Sequence, residues 1–107
     1  MFPRLITTSN QSSFFLFGPR GSGKSTLIRT LFKDRPETLW IDLLNAEEEA
    51  GLQAHPNELL IRTSHLKPSS WVVLDEVQKV PKLLDLVHKL IEEKKIFFAL
   101  SGSSARK

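Results

Sequence analysis

The chain has 107 residues, 40% hydrophobic and 25% charged, a balance that argues against disorder and allows one packed domain or part of one. Fifteen Lys and Arg against twelve Asp and Glu leave a net charge of +3, but the basic residues are scattered and form no stripe interleaved with aromatics, which speaks against a nucleic-acid site. Cysteine is absent, which excludes disulfides, thiolate metal sites and cysteine nucleophiles; with no signal-peptide pattern and no membrane-length apolar run, the expected setting is the cytoplasm.

Met1 to Ser13 carries one short apolar patch, Leu5 and Ile6, followed by a polar string. Phe2, Pro3 and Arg4 are weak candidates for contact with a nucleotide base, the alternative being a mobile terminus. The run Phe14 to Phe17 reads as a buried strand that stops at Gly18, and Gly18 to Ser25 spells G-x-x-x-x-G-K-S. That spacing lets a strand turn sharply, present backbone N–H groups to one anion and start a helix whose N-terminus faces the same anion. Gly18, Gly21 and Gly23 permit the close approach. Lys24 supplies a charge for the phosphates, and the Ser25 hydroxyl is placed to ligand a Mg²⁺ that bridges them. Leu27, Ile28, Leu31 and Phe32 then give a helix an apolar face.

Thr38 to Leu43 is a second β-rich run, with Trp40 and Ile41 expected in the core. Asp42 falls at its carboxyl end, to lie near a metal or, the favoured reading, to cap the next turn. Asn45 followed by Glu48 marks a capped helix over Ala46 to Ala54. Glu47, Glu48 and Glu49 fan around that helix and cannot converge on one ion, so they read as a solvated face. A short helix from about Pro56 to Leu66 follows, with Leu59, Leu60 and Thr63 near one side.

Trp71 to Glu76, WVVLDE, describes a central parallel strand that ends in acids at the ligand rim. Asp75 would there accept a hydrogen bond from metal-bound water or approach the Mg²⁺, and Glu76 would orient and polarise the attacking water, the alternative being an exposed acidic turn after a core strand. Val77 to Pro81 forms a loop, and Leu83, Leu84, Val87, Leu90 and Ile91 recur at helical spacing over about Pro81 to Lys94, with His88 toward solvent. Ile96 to Ser101 is the last strand. It ends in a serine-rich tip, Ser101 to Ser104, whose hydroxyls either touch the terminal phosphate or merely solvate a strand end.

With GPRGSGKST, WVVLDEVQKVP and FFALSGSSARK in this order, the chain resembles the AAA+ ATPases, and within them a family of prokaryotic predicted AAA-type ATPases; the likeness covers nearly all of the sequence. The resemblance implies an α/β three-layer P-loop NTPase fold, ATP and Mg²⁺ as ligands, and hydrolysis in the full-length protein. By it the nucleotide is held by Gly18, Pro19, Arg20, Gly21, Ser22, Gly23, Lys24, Ser25 and Thr26, the metal by Ser25 and Asp75, and Lys24, Glu76 and Ser101 are catalytic, Ser101 at the sensor 1 position. Such domains have a five-stranded parallel sheet, then a helical lid and an arginine finger. Residues 1–107 would supply only the N-terminal part, four strands in the order 1-4-3-2, numbered along the chain. That order leaves FFLF as an uncovered edge, so self-association or a further domain is expected. Arg106 either reaches a neighbouring subunit's phosphate or is a solvated terminal arginine. Two other functions fit the motifs, a nucleotide-dependent switch and a P-loop kinase acting on a small metabolite.

Overall fold

The computed structural model describes residues 4–7, 13–19 and 23–103. Phe2, Pro3, Arg20, Gly21, Ser22, Ser104 and Arg106, all singled out above, lie outside the described residues. Along the chain come β1 (Arg4–Thr7), β2 (Phe14–Gly18), α1 (Lys24–Leu31), β3 (Leu39–Asp42), α2 (Ala46–Ala54), α3 (Glu58–Thr63), β4 (Trp71–Asp75), a 3₁₀ turn (Val77–Lys79), α4 (Leu83–Lys94) and β5 (Phe97–Ser103). They form one sheet in the order β1-β2-β5-β4-β3. The four strands β2, β5, β4 and β3 are parallel. They are the four strands expected, in the expected 1-4-3-2 order.

The expectation of an uncovered FFLF edge is corrected. β1 pairs antiparallel with β2, from Arg4 opposite Phe17 to Thr7 opposite Phe14. An apolar strand left at the edge would expose a full row of backbone donors and acceptors, and a segment close in sequence can pair with it at little loop-closure cost. Self-association through that edge thereby loses its premise.

Alternation along β4 and β5 divides the core. Val72, Leu74, Phe98 and Leu100 face the layer holding α2, α3 and α4, with Leu52, Leu59, Leu83 and Val87, whereas Val73 and Ala99 face Ile28 and Phe32 on the α1 side. Val72, Val73 and Leu74 are fully buried, each contributing about 1.5–3 kcal/mol of apolar burial. A strand covered on both faces must be apolar at every position.

Three core assignments are corrected. Among the described residues only α1 and its C-cap cover this face of the sheet, and their buried apolar side chains are the i, i+4 pair Ile28 and Phe32, while Leu27 and Leu31 flank the contact at 40% and 53% exposure. Trp40 is 41% exposed, because on edge strand β3 its side points away from Ile41 and meets the ring of Phe32 at 6.5 Å. Leu84 lies on the outer flank of α4.

Asn45 caps α2 as the sequence indicates: its Oδ1 accepts from the N–H groups of Glu47 (3.0 Å) and Glu48 (3.1 Å). Asn45→Ala is expected to cost about 1 kcal/mol, read as a lowered urea midpoint with an unchanged slope.

Candidate functional site

The carboxyl ends of β2, β4 and β5 meet at one rim, and the sequence motifs converge there. Gly23 takes φ 92°, a left-handed conformation that a side chain would strain, and it opens α1 so that Lys24 is the first helical residue. The Lys24 side chain is buried at 3% exposure. Its Nζ donates to the carbonyls of Gly18 (3.4 Å) and Pro19 (3.3 Å) and to the hydroxyl of Ser103 (2.9 Å). Burying an ammonium costs desolvation energy that a nearby anion offsets.

That anion is Glu76. Its Oε2 lies 3.8 Å from Lys24 Nζ and accepts from the Ser103 hydroxyl at 3.0 Å, so Ser103 bridges the two charges. The other oxygen, Oε1, accepts from Gln78 Nε2 at 2.8 Å. Glu76 itself sits at φ 64°, ψ 51°, left-handed backbone that costs a non-glycine residue energy and that clusters at functional sites. The conformation ends β4 abruptly and turns the carboxylate back toward α1.

Asp75 is 8% exposed. Its Oδ1 accepts from the Ser101 hydroxyl, while Oδ2 faces the Ser25 hydroxyl at 3.5 Å. Ser101 also accepts from the Glu76 N–H at 2.8 Å. It therefore anchors both acids from below, one by its carboxylate and one by its backbone. Replacing it leaves two buried groups unsatisfied; Ser101→Ala is expected to lower unfolding stability by about 2 kcal/mol, measurable by urea denaturation.

Ser25 and Asp75 present hard oxygen donors of the kind Mg²⁺ takes, and two protein donors suffice for an ion that keeps waters and phosphate oxygens as its other ligands. Among the described residues no three of His, Cys, Asp and Glu converge as a metal centre, and no described helix is long and apolar enough to cross a membrane.

Of the residues named from sequence, Gly18, Pro19, Gly23, Lys24, Ser25, Asp75, Glu76 and Ser101 are gathered at this rim. Thr26 is exposed on α1. Asp42 caps its turn, Oδ1 accepting from the Leu44 N–H at 3.0 Å, which is the favoured of its two readings.

Ser103 was read only as part of the serine-rich tip, for contact with the terminal phosphate or for solvating a strand end, and Gln78 was not named; both join the site. Ser103 enters because β5 runs two residues beyond its expected end, pairing Gly18 with Ser103 in the parallel ladder; the period of two that places Ser101 on the α1 face places Ser103 there too, and that signal was available. Gln78 enters only through the left-handed turn at Glu76, which no pattern in the sequence announces.

The family model described as an AAA domain matches residues 10–107 of the chain. No curated protein matches it, and no solved structure does.

Proposed function

The chain belongs to the AAA domain family, and from that premise we propose that it binds ATP with Mg²⁺ at the Gly18–Ser25 loop and hydrolyses it. What supports this reading is one observation: a buried lysine, a hydroxyl beside a carboxylate, and a second carboxylate on a strained turn come together at one strand rim from segments far apart in sequence.

Lys24 exchanges its bonds to the loop carbonyls and Ser103 for phosphate oxygens, neutralising charge that grows on the γ-phosphoryl group. Ser25 and Asp75 would hold Mg²⁺, which would supply charge neutralisation for the phosphates. Glu76 orients the attacking water in line and takes its proton. Ser101 keeps Asp75 directed at Ser25, and Ser103, released from Lys24, faces the terminal phosphate. An arginine given in trans is worth about three to five orders of magnitude in comparable NTPases, so turnover is expected to rise by about that factor wherever a second subunit supplies one.

Calorimetric titration with ATP and Mg²⁺, followed by phosphate release with enzyme in excess, tests the proposal. Saturable binding followed by slow release is the expected result. A folded chain that gives no binding heat and no protection against thermal unfolding overturns it; binding with no release would instead favour the nucleotide-dependent switch, in which breaking the Lys24–Ser103–Glu76 bridge is itself the output.

A further inference from the structure

We infer that Gln78 is a positioning residue that holds the Glu76 carboxylate and ties it to the Ser103 segment, so that the residue acting on water and the residue facing phosphate move as one unit. The inference rests on the ATPase reading above. The carboxamide is engaged at both ends: Nε2 donates to Glu76 Oε1 at 2.8 Å, and Oε1 accepts from the Ser103 backbone N–H at 3.1 Å. With Ser103 Oγ on Oε2, both carboxylate oxygens of Glu76 are fixed, one from each side. A carboxylate free to rotate would lose in-line alignment with water, and an error of about 1 Å in such a position costs up to about 100-fold in rate.

The turn does not need this side chain for its own closure. Lys79 N–H donates to the Glu76 carbonyl (3.1 Å) and Val80 N–H to that of Val77 (3.0 Å), and Val77 and Val80 are buried in the core. Space has also been left for the carboxamide. A Cβ on Gly102 would lie 3.2 Å from Gln78 Oε1 and 3.1 Å from the ring of Phe15, so a side chain at 102 would press on the clamp.

Gln78→Glu and Gln78→Ala, made in the same chain, test the inference against nucleotide affinity, thermal stability and single-turnover phosphate release. Gln78→Glu keeps the length and the acceptor for Ser103 but sets a second carboxylate against Glu76; Gln78→Ala removes both contacts. The expected result is a rate about 10- to 100-fold lower in both, with Gln78→Glu at least as impaired as Gln78→Ala, with ATP affinity close to that of the parent, and with a melting temperature lowered by several degrees for the groups left unpaired or repelled but a chain still folded at the assay temperature. Parental rates in both variants overturn the inference and leave the ATPase reading intact. So does a rate that falls only in step with affinity and melting temperature, or loss of the fold in both variants, since either makes Gln78 a structural residue. A folded parent chain that binds nucleotide but releases no phosphate overturns the ATPase reading, and this inference with it.

Discussion

Lys24→Ala should weaken binding of ATP with Mg²⁺ by about 30-fold or more, because a buried charge that meets phosphate directly is worth about 2–5 kcal/mol when truncated. Two effects act on this variant. The phosphate loses its point charge, and in the unliganded chain Glu76 loses the ammonium 3.8 Å away while its side chain stays 4% exposed. Breaking a buried pair from one side costs about 3–5 kcal/mol in other proteins; Ser103 and Gln78 still donate to Glu76 here, so the smaller figure is the better guide. Unfolding should therefore be measured first by circular dichroism, and titration performed below the variant's own transition. Parental affinity in a folded Lys24→Ala chain would mean that the phosphates lie elsewhere.

Glu76→Gln is expected to separate binding from turnover. Glutamine keeps the shape of the side chain and a carbonyl oxygen for the Gln78 donor, but it cannot accept a proton from water, so phosphate release should fall by about 10²- to 10⁴-fold. Binding should persist and even tighten, since Lys24 no longer has a competing anion beside it in the empty loop. ADP is the cleaner probe, because its affinity is read without any turnover. A 100-fold loss of ADP affinity would show that Glu76 builds the loop rather than acts on water. Undiminished phosphate release would remove Glu76 from the reaction.

Much of the site was legible because its chemistry constrains consecutive residues. Gly18 to Ser25 is contiguous, and the requirement for a strand, a tight turn and a helix start in immediate succession is visible in FFLF, the glycines and the Leu27–Phe32 spacing. Asp75 and Glu76 were legible because an apolar run buried on both faces has to end where acids meet solvent and ligand. The cap at Asn45 and the limits of α2 follow from side-chain bonding within three residues.

The misreadings share a cause. Which apolar residue of a pair is buried depends on what packs against it, and periodicity does not say that among the described residues α1 is the one helix on its face, leaving Leu27, Leu31 and Trp40 half exposed. Nor could local pattern say that β1 would take the edge of β2, since strand pairing is a choice among all available edges.

The amino-acid sequence by itself determined the alternation of strands and helices, the phosphate-type loop with its lysine and hydroxyl, and the acidic pair at the end of the central strand, because each depends on neighbours along the chain; the 1-4-3-2 strand order was what the family resemblance implied. Only the tertiary structure decided that Ser103 joins Lys24 to Glu76, that Ser101 serves the two acids from beneath, and that Gln78 clamps the carboxylate. Those contacts depend on how far β5 runs beside β2 and on a left-handed backbone at one glutamate. Both are outcomes of packing, in which residues separated by 25 to 79 positions come within hydrogen-bond reach.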